Sequence, residues 1–217
     1  MCCIIENQVG DYMIKRIIFD IDGTLINSID FYPVILQALR NYGVDSPNKA
    51  QLFLENIKSY EEKYSTYDKK LYLDFFSKKL GINLDNNFLI YFFNELKKAV
   101  PQNTRNIYEI LSNLSGYELV LLSNYFEESQ RNRLEAMGIN HFFTEYYGEL
   151  KTKPCEEAYL SAAGVHKPNE CVIIGDNKKL DIDIPQTLGF NTIYVNENGN
   201  IRSINNLSLS LIKKFDN

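Results

Sequence analysis

The sequence contains no apolar run close to the roughly 20 residues that a membrane-spanning helix needs. It also has no basic excess, because 23 Lys and Arg residues stand against 28 Asp and Glu residues, a formal net charge of −5. A nucleic-acid partner or an anionic membrane surface is therefore not expected. Residues 1–5 lack the basic start and the long apolar stretch of a signal peptide.

Cysteine and histidine are scarce, with four and two residues respectively. The cysteines are Cys2, Cys3, Cys155 and Cys171. Their spacing matches neither a zinc site nor a disulfide framework, which favours reduced thiols in the cytoplasm. His141 and His166 lie outside every polar motif of the chain and are interpreted as surface residues, so a histidine catalyst is not indicated.

A long helical region fills the first half of the chain. Four helices are predicted between residues 30 and 100, with glycine and proline residues at the positions where helices end and start. They are Phe31 to Tyr42, Pro47 to Tyr60, Tyr67 to Leu80 and Asp85 to Val100. Large apolar residues recur at helical spacing within them, as at Leu73, Phe76 and Leu80, which is typical of a helix-bundle core.

Beyond Pro101 helices and strands alternate, which predicts a parallel sheet with right-handed crossovers. Predicted helices cover Thr104 to Leu114, Glu127 to Met137, Cys155 to Ala163 and about Asp183 to Leu188. Predicted strands cover Tyr117 to Leu122, Glu145 to Tyr147, Cys171 to Ile174 and Thr192 to Val195. The tail from Asn205 to Asn217 is open between a loop and a final helix.

The domain organisation follows from this pattern. We expect residues 13–27 and 101–217 to form an α/β core with a Rossmann-like, doubly wound parallel sheet. Residues 28–100 would be a four-helix insert. Residues 1–12 are interpreted as an amino-terminal extension, with Met13 as a candidate start.

The first predicted strand, Ile17 to Phe19, ends abruptly in polar residues. Asp20 and Asp22 follow it, and Gly23 supplies the backbone freedom for a turn. An Asp-Gly turn without chemistry explains such residues about as well when it stands alone. Two acids one residue apart after a buried strand favour a functional site, because ligands of open α/β sheets bind at the carboxyl ends of strands.

Two further predicted strands end in the same way. Ser123-Asn124 follows one, and Gly175-Asp176 follows the other, with Asp181 and Asp183 shortly after. Lys153-Pro154 lies between them in the chain. Each of these is weak evidence alone, since hydroxyls and acids also cap helices. All of them can meet at one edge of one sheet.

In this order and spacing, the motifs Asp20 to Thr24, Ser123-Asn124, Lys153-Pro154 and Gly175 to Asp181 resemble the four signature motifs of the haloacid-dehalogenase-like superfamily. The resemblance covers Lys15 to about Asn196. The helical insert is similar to the four-helix cap of the superfamily's first subclass. Val100 to Asn103 lacks the Pro-x-Pro-Gly often seen in relatives at this entry to the core.

The resemblance implies a role for each matched residue. Asp20 would be the nucleophile that forms an aspartyl-phosphate. Asp22 would protonate the leaving alcohol and deprotonate the attacking water. Ser123, Asn124 and Lys153 would bind the phosphoryl oxygens.

Magnesium is the implied cofactor. Asp176 would bind Mg²⁺ with the Asp20 carboxylate and the Asp22 backbone carbonyl, since Mg²⁺ prefers hard oxygen ligands. Asp181 would belong to the same metal site and orient a metal-bound water or Lys153. Asp181 matches the family's spacing better than Asp183, which is interpreted as a capping or surface acid.

The implied function is a Mg²⁺-dependent phosphatase acting on a small phosphorylated metabolite, such as a nucleotide or sugar phosphate. Dehalogenases of the superfamily lack an acid at the position of Asp22, which favours phosphoryl transfer. A phosphomutase of the β-phosphoglucomutase type is the alternative, and a phospho-accepting switch is less favoured. Candidate cap residues that could select the substrate are Lys58, Tyr60, Lys63 and Tyr64, and a solvated helix face explains them equally well. The sequence indicates no particular oligomeric state.

Overall fold

The computed structural model describes residues 13–27, 29–101 and 105–216. One parallel sheet runs in the order β3-β2-β1-β4-β5. The strands are β1 (Arg16–Phe19), β2 (Glu118–Leu122), β3 (Glu145–Tyr147), β4 (Cys171–Gly175) and β5 (Asn191–Tyr194). The central strand β1 is fully buried, and the strand order reverses beside it, which is where doubly wound sheets bind ligands. The predicted α/β class and Rossmann-like sheet are confirmed.

Helices cover both faces of this sheet. They are α5 (Arg105–Asn113), α6 (Glu127–Ala136), α7 (Glu156–Ala163), α8 (Ile184–Thr187) and α9 (Leu209–Ile212). Successive residues of β1 point to opposite faces. Ile17 therefore joins the apolar cluster that contains Leu111 and Leu134, whereas Ile18 joins the cluster under Tyr159.

The segment between β1 and α5 contains a bundle of four helices, which we call the cap. These are α1 (Phe31–Asn41), α2 (Pro47–Tyr64), α3 (Lys69–Leu80) and α4 (Asn86–Lys98). Each begins behind an Asp or Ser whose side chain accepts a backbone N–H bond, the usual helix cap. Aromatic rings fill the interior, and Phe53 stacks on Phe76 with 3.8 Å between ring centroids.

The cap contacts the core next to a predicted motif. Tyr125 and Phe126, directly after Ser123-Asn124, pack their rings against Tyr67 of the cap. On the other side of this contact, the Tyr67 N–H donates to the Glu149 carbonyl at 2.7 Å, and the Thr152 N–H donates to the Ser65 carbonyl at 3.2 Å. The loop between α2 and α3 thus lies against the segment that leads to Lys153.

Three local predictions need correction. Helix α2 runs to Tyr64, four residues past the predicted end, and stops at Ser65 with a left-handed φ of 49°. The helix expected from Asp183 is preceded by a π-helical turn, Lys178–Asp183, because the Asn177 side chain accepts the N–H groups of Lys179 and Leu180. Helix α3 begins at Lys69, two residues past the predicted start at Tyr67, behind the Asp68 cap. The tail, left open between a loop and a final helix, forms α9 and short 3₁₀ turns.

Some predictions fall outside the described residues. These are the extension 1–12 with Cys2 and Cys3, and the hinge residues Gln102 and Asn103. Within the described residues, none of the helices combines the length and the apolar character that crossing a membrane requires.

Candidate active site

Asp20 lies at the carboxyl end of β1 in a buried position. Its N–H continues the sheet by donating to the Ile174 carbonyl at 2.9 Å, and the residue is 8% exposed. Burial raises the pKa of the Asp20 carboxyl to about 7; the Lys153 ammonium opposes this rise, and the charges of Asp181 and Asp22 add to it. A group held in this way needs a cation nearby to stay ionised.

The chain turns sharply directly after Asp20. The Ile26 N–H donates to the Ile21 carbonyl at 2.8 Å, and the Gly23 N–H donates to the Ile26 carbonyl at 2.7 Å. Gly23 has a φ of 84°, and a Cβ there would overlap the Asp176 carboxylate. Glycine is therefore required both for the turn and for the approach of Asp176.

Lys153 is the cation that faces Asp20. Its Nζ donates to Asp20 Oδ1 at 2.8 Å and to Asp181 Oδ1 at 2.6 Å, and the residue is 6% exposed. Burial lowers the pKa of the Lys153 ammonium, but attraction to the two carboxylates outweighs it and raises the pKa above the ordinary value. Lys153 is therefore a permanent positive charge at this edge of the sheet.

Asn124 holds the backbone of Lys153. Its Nδ2 donates to the Lys153 carbonyl at 2.9 Å, and its Oδ1 accepts the Lys153 N–H at 2.7 Å. This pair of bonds joins the end of β2 to the segment before α7. It fixes the backbone position from which the Lys153 side chain extends. The phosphate contact predicted for Asn124 stays a prediction, and its side chain has this second task.

Three carboxylates converge beside the ammonium. Oxygens of Asp20, Asp176 and Asp181 all lie within 4.8 Å of one another, the kind of group that can hold a metal ion. Asp181 is 1% exposed, its Oδ2 accepts the Asn177 N–H at 3.0 Å, and a Cβ on Gly175 would overlap it. Burial and the nearby Asp181 raise the pKa of Asp176.

This donor set suits a divalent cation. All three groups offer hard carboxylate oxygens, which Mg²⁺ and Ca²⁺ prefer. Three carboxylates face one ammonium, and a bound dication would oppose the burial and the repulsion that raise the pKa values of Asp20 and Asp176. The Asp22 carboxylate is not in this group, and the metal contact of its backbone carbonyl stays a prediction.

Asp22 instead pairs with Arg133, a residue that the sequence analysis did not identify. Arg133 is 1% exposed on α6 and donates from Nη1 to Asp22 Oδ2 at 2.9 Å and from Nη2 to Asp22 Oδ1. Its Nη1 also donates to Gln130 Oε1 at 2.8 Å, and Gln130 Nε2 donates to Ser123 Oγ at 3.2 Å. Ser123, 5% exposed, is thereby connected to Asp22.

A signal for these two residues exists in the sequence. Gln130 and Arg133 occupy the same helical stripe as Phe126, Leu134 and Met137, which are buried. Polar residues on the apolar face of a helix are uncommon and need partners when they are buried.

Glu61 is the second group that the sequence analysis did not identify. It lies on α2 of the cap, and its Oε1 accepts a hydrogen bond from the Tyr67 hydroxyl at 2.5 Å. Burial raises the pKa of Glu61, while the bond from Tyr67 and the charge of Lys153 oppose the rise. The Lys153 ammonium therefore acts on a carboxylate of the cap.

The cap residues predicted to contact substrate have other surroundings. Tyr60 is fully buried among aromatic rings. Lys58 is exposed and pairs with Glu62 at 3.7 Å, and the Lys63 ammonium lies 4.6 Å from the centre of the Tyr64 ring. These contacts agree with the alternative of cap packing and a solvated helix face.

The residues expected to have no catalytic role lie outside the carboxylate cluster. Asp183 is exposed and pairs with Lys178 at 2.8 Å. His166 Nε2 lies 3.1 Å from Glu118 Oε2, and His141 packs on the Phe142 ring. Cys155 and Cys171 are free thiols.

Known proteins resemble this chain in both sequence and fold. A model of the family described as haloacid dehalogenase-like hydrolase matches residues 14–189. The chain is 28% identical over 201 residues to glyceraldehyde 3-phosphate phosphatase from Methanothermobacter thermautotrophicus. The aligned region covers 85% of this chain and 86% of that protein.

Solved structures share the architecture. The magnesium-bound HAD-hydrolase YfnB from Bacillus subtilis superposes with a TM-score of 0.61 at 19% identity over 86% of this chain and 90% of its own. L-2-haloacid dehalogenase from Xanthobacter autotrophicus gives 0.61 at 20% identity over 84% and 78%. At these identities the structural likeness shows the fold alone. Because the family match spans every strand end that builds the site, the chain belongs to the haloacid dehalogenase-like hydrolases.

Proposed function

We propose that this protein is a Mg²⁺-dependent phosphatase that hydrolyses the monoester of a small phosphorylated metabolite. The single observation that carries this proposal is the position of Asp20, held 2.8 Å from a buried ammonium and grouped with Asp176 and Asp181. The phosphatase from M. thermautotrophicus and the magnesium-bound YfnB support the reaction class and the metal.

Each side chain then has a defined task. A carboxylate oxygen of Asp20 attacks phosphorus as the ester P–O bond breaks, and Asp22 gives its proton to the leaving alkoxide. Asp22 next takes a proton from the water that attacks the aspartyl-phosphate, which releases inorganic phosphate and Asp20. Ser123 and Lys153 bind phosphoryl oxygens as negative charge develops.

The metal site would consist of the Asp20 and Asp176 carboxylates, the Asp22 carbonyl, and Asp181 as the residue that orients Lys153. A bound Mg²⁺ would stabilise phosphoryl charge and neutralise part of the carboxylate cluster. General acid–base catalysis contributes about 10²–10⁴-fold and one charge-stabilising donor about 10²–10³-fold, so several groups must act together.

The charge of a cap residue favours a substrate that carries no second anionic group beside the phosphate. The charge of Lys153 acts on the Glu61 carboxylate. This carboxylate would repel a second anionic group on the substrate. A phosphorylated polyol or aldehyde such as glyceraldehyde 3-phosphate fits this environment. A phosphomutase needs a cap that binds a second phosphate. Lys58 and Lys63 have the exposed surroundings described above, which favours the phosphatase over the phosphomutase.

The helical insert 28–100 is proposed to be a subclass I cap, and residues 13–27 and 101–217 the catalytic core. A cytoplasmic location is proposed as well, supported by the free thiols of Cys155 and Cys171.

A screen of phosphorylated metabolites tests the function. Phosphate release is measured with Mg²⁺ and with EDTA for the wild type, Asp20→Asn and the matched control Asp183→Asn, whose carboxylate is exposed. We expect Mg²⁺-dependent turnover in the wild type and in Asp183→Asn, and its loss in Asp20→Asn. Turnover by Asp20→Asn at the wild-type rate would exclude the proposed nucleophile, and isomerised product without phosphate release would favour the mutase.

A further inference from the structure

Two buried polar residues of α6 connect the proposed acid–base residue to the proposed phosphate-binding hydroxyl. We call the connected side chains of Asp22, Arg133, Gln130 and Ser123 the Arg133 bridge. Arg133 and Gln130 are 1% and 3% exposed, so bulk water does not compete for their hydrogen bonds. Buried polar side chains of this kind rarely persist without a purpose in packing or function.

The hydrogen-bond chemistry of the bridge fixes its orientation. Arginine has donors only, so the group that faces Arg133 at 2.8 Å must be the Gln130 carbonyl oxygen. The Gln130 amide nitrogen then faces Ser123 at 3.2 Å, and since it can only donate, Ser123 Oγ must accept. The hydroxyl proton of Ser123 is left to donate elsewhere, which is what a phosphoryl oxygen requires.

The same guanidinium fixes Asp22. Nη1 and Nη2 each contact one carboxylate oxygen, the bidentate arrangement that sets both position and rotation of a carboxylate. Each oxygen keeps a second lone pair, so a proton can still be exchanged with a leaving group. A lysine could supply the charge but not the two-point contact.

We propose that Arg133 and Gln130 are positioning residues: Arg133 orients the Asp22 carboxylate and, through Gln130, makes the Ser123 hydroxyl a donor to the phosphoryl group. This inference rests on the proposed phosphatase function. The bland alternative is an ion pair that only stabilises α6, and it predicts equal losses on every substrate.

Leaving-group dependence separates these two explanations for Arg133. Arg133→Lys and Arg133→Met are assayed on phenyl phosphate, whose leaving group needs a proton, and on 2,4-dinitrophenyl phosphate, whose leaving group does not. We expect kcat/KM to fall about 10²-fold on the first substrate and only a few-fold on the second. The control is Arg131→Met on the same helix, since Arg131 pairs with Glu127 and stacks on Tyr146 at the protein surface. Equal losses on both substrates would overturn the role of Arg133.

Phosphate binding tests the second half of the bridge without turnover. Affinity for inorganic phosphate is measured by calorimetry with Mg²⁺ for Gln130→Met, Ser123→Ala and the double variant. We expect each single variant to weaken binding about tenfold and the double variant to be no weaker than Ser123→Ala. Additive losses would overturn the connection through Ser123.

The two failures are distinguishable. A wild type that binds phosphate but hydrolyses none of the esters contradicts the proposed function, while the calorimetric cycle still decides the connection between Gln130 and Ser123. If Arg133→Met does not fold, Arg133→Lys carries the leaving-group comparison, because it keeps the buried charge.

Discussion

The edge of the sheet and the interior of the cap are held together by opposite kinds of side chain. At the edge, buried charged groups pair with one another, as Lys153 does with Asp20 and Asp181. In the cap, stacked and edge-to-face aromatic rings surround Phe53. Burying ions costs several kcal/mol each before pairing, whereas burying rings is favourable outright.

The difference shows that the two regions contribute to the free energy of folding in opposite ways. The edge holds like charges together at a cost, which is the arrangement expected of a site that binds cations and phosphate. The cap gains free energy from packing and contributes few polar groups to the site. Changes at the edge should therefore alter chemistry and electrostatics together, whereas changes inside the cap should alter stability alone.

Lys153→Met should produce the largest effect. It leaves Asp20 and Asp181 without their shared cation, so we expect phosphatase activity to fall at least about 10²-fold and the metal-free protein to lose about 3–5 kcal/mol of unfolding free energy. Urea unfolding in EDTA and steady-state phosphate release measure the two effects. Lys178→Met, which removes an exposed cation paired with Asp183, is the control and should change stability by less than about 0.5 kcal/mol. Similar losses in both variants would contradict the comparison.

Phe53→Ala should change stability without changing chemistry. Phe53 is fully buried, and its removal should cost about 3–5 kcal/mol of unfolding free energy because a cavity forms inside the cap. Below the unfolding transition, kcat should stay within a few-fold of the wild type. Leu52→Ala, at a neighbouring exposed position, should be near neutral. Loss of kcat in folded Phe53→Ala would break the distinction between the two regions.

The same distinction explains what the sequence could predict. Asp20, Ser123 and Asp176 follow buried strands, and parallel strands bring their carboxyl ends to one edge, so chain order was enough to group them. The structure buries Asp181 and exposes Asp183, while the metal-site role of Asp181 stays a prediction.

Arg133 and Glu61 needed three-dimensional information. Arg133 reaches Asp22 only because α6 lies over the turn after β1, a packing detail that no local pattern encodes. The charge of Lys153 acts on Glu61, and the loop between α2 and α3 contacts the segment before Lys153. The π-helical turn was missed for a related reason, since it depends on the side chains of Asn177 and Asp181.

The unfolding free energy should depend on pH because the Asp20 carboxyl at the edge of the sheet has a raised pKa. Burial raises the folded-state pKa of Asp20 to about 7 from its ordinary value of 3.8, so the folded protein binds more protons than the unfolded chain between these values. Stability from protonated Asp20 is therefore complete below about pH 4 and lost as the pH rises toward 7, at up to about 1.4 kcal/mol per pH unit.

The measurement is the difference in unfolding free energy between the wild type and Asp20→Asn, in EDTA, at several pH values. The wild type should lose stability relative to the variant as the pH rises through this window, and Mg²⁺ should reduce the slope. A difference that does not change with pH would contradict the strained charge at the edge.

Glu61→Gln should produce the smallest effect and test a cap carboxylate on which the charge of Lys153 acts. If its charge repels anionic substrate tails, the variant should raise kcat/KM for 2-phosphoglycolate relative to glyceraldehyde 3-phosphate about tenfold, which corresponds to about 1.4 kcal/mol. The glutamine keeps an oxygen for the Tyr67 hydroxyl, so the cap should stay folded. Glu62→Gln is the matched control, because Glu62 is exposed and pairs with Lys58, and it should leave the ratio unchanged. An unchanged ratio in Glu61→Gln would mean that cap charge does not select the substrate, and the cap would then act through packing alone.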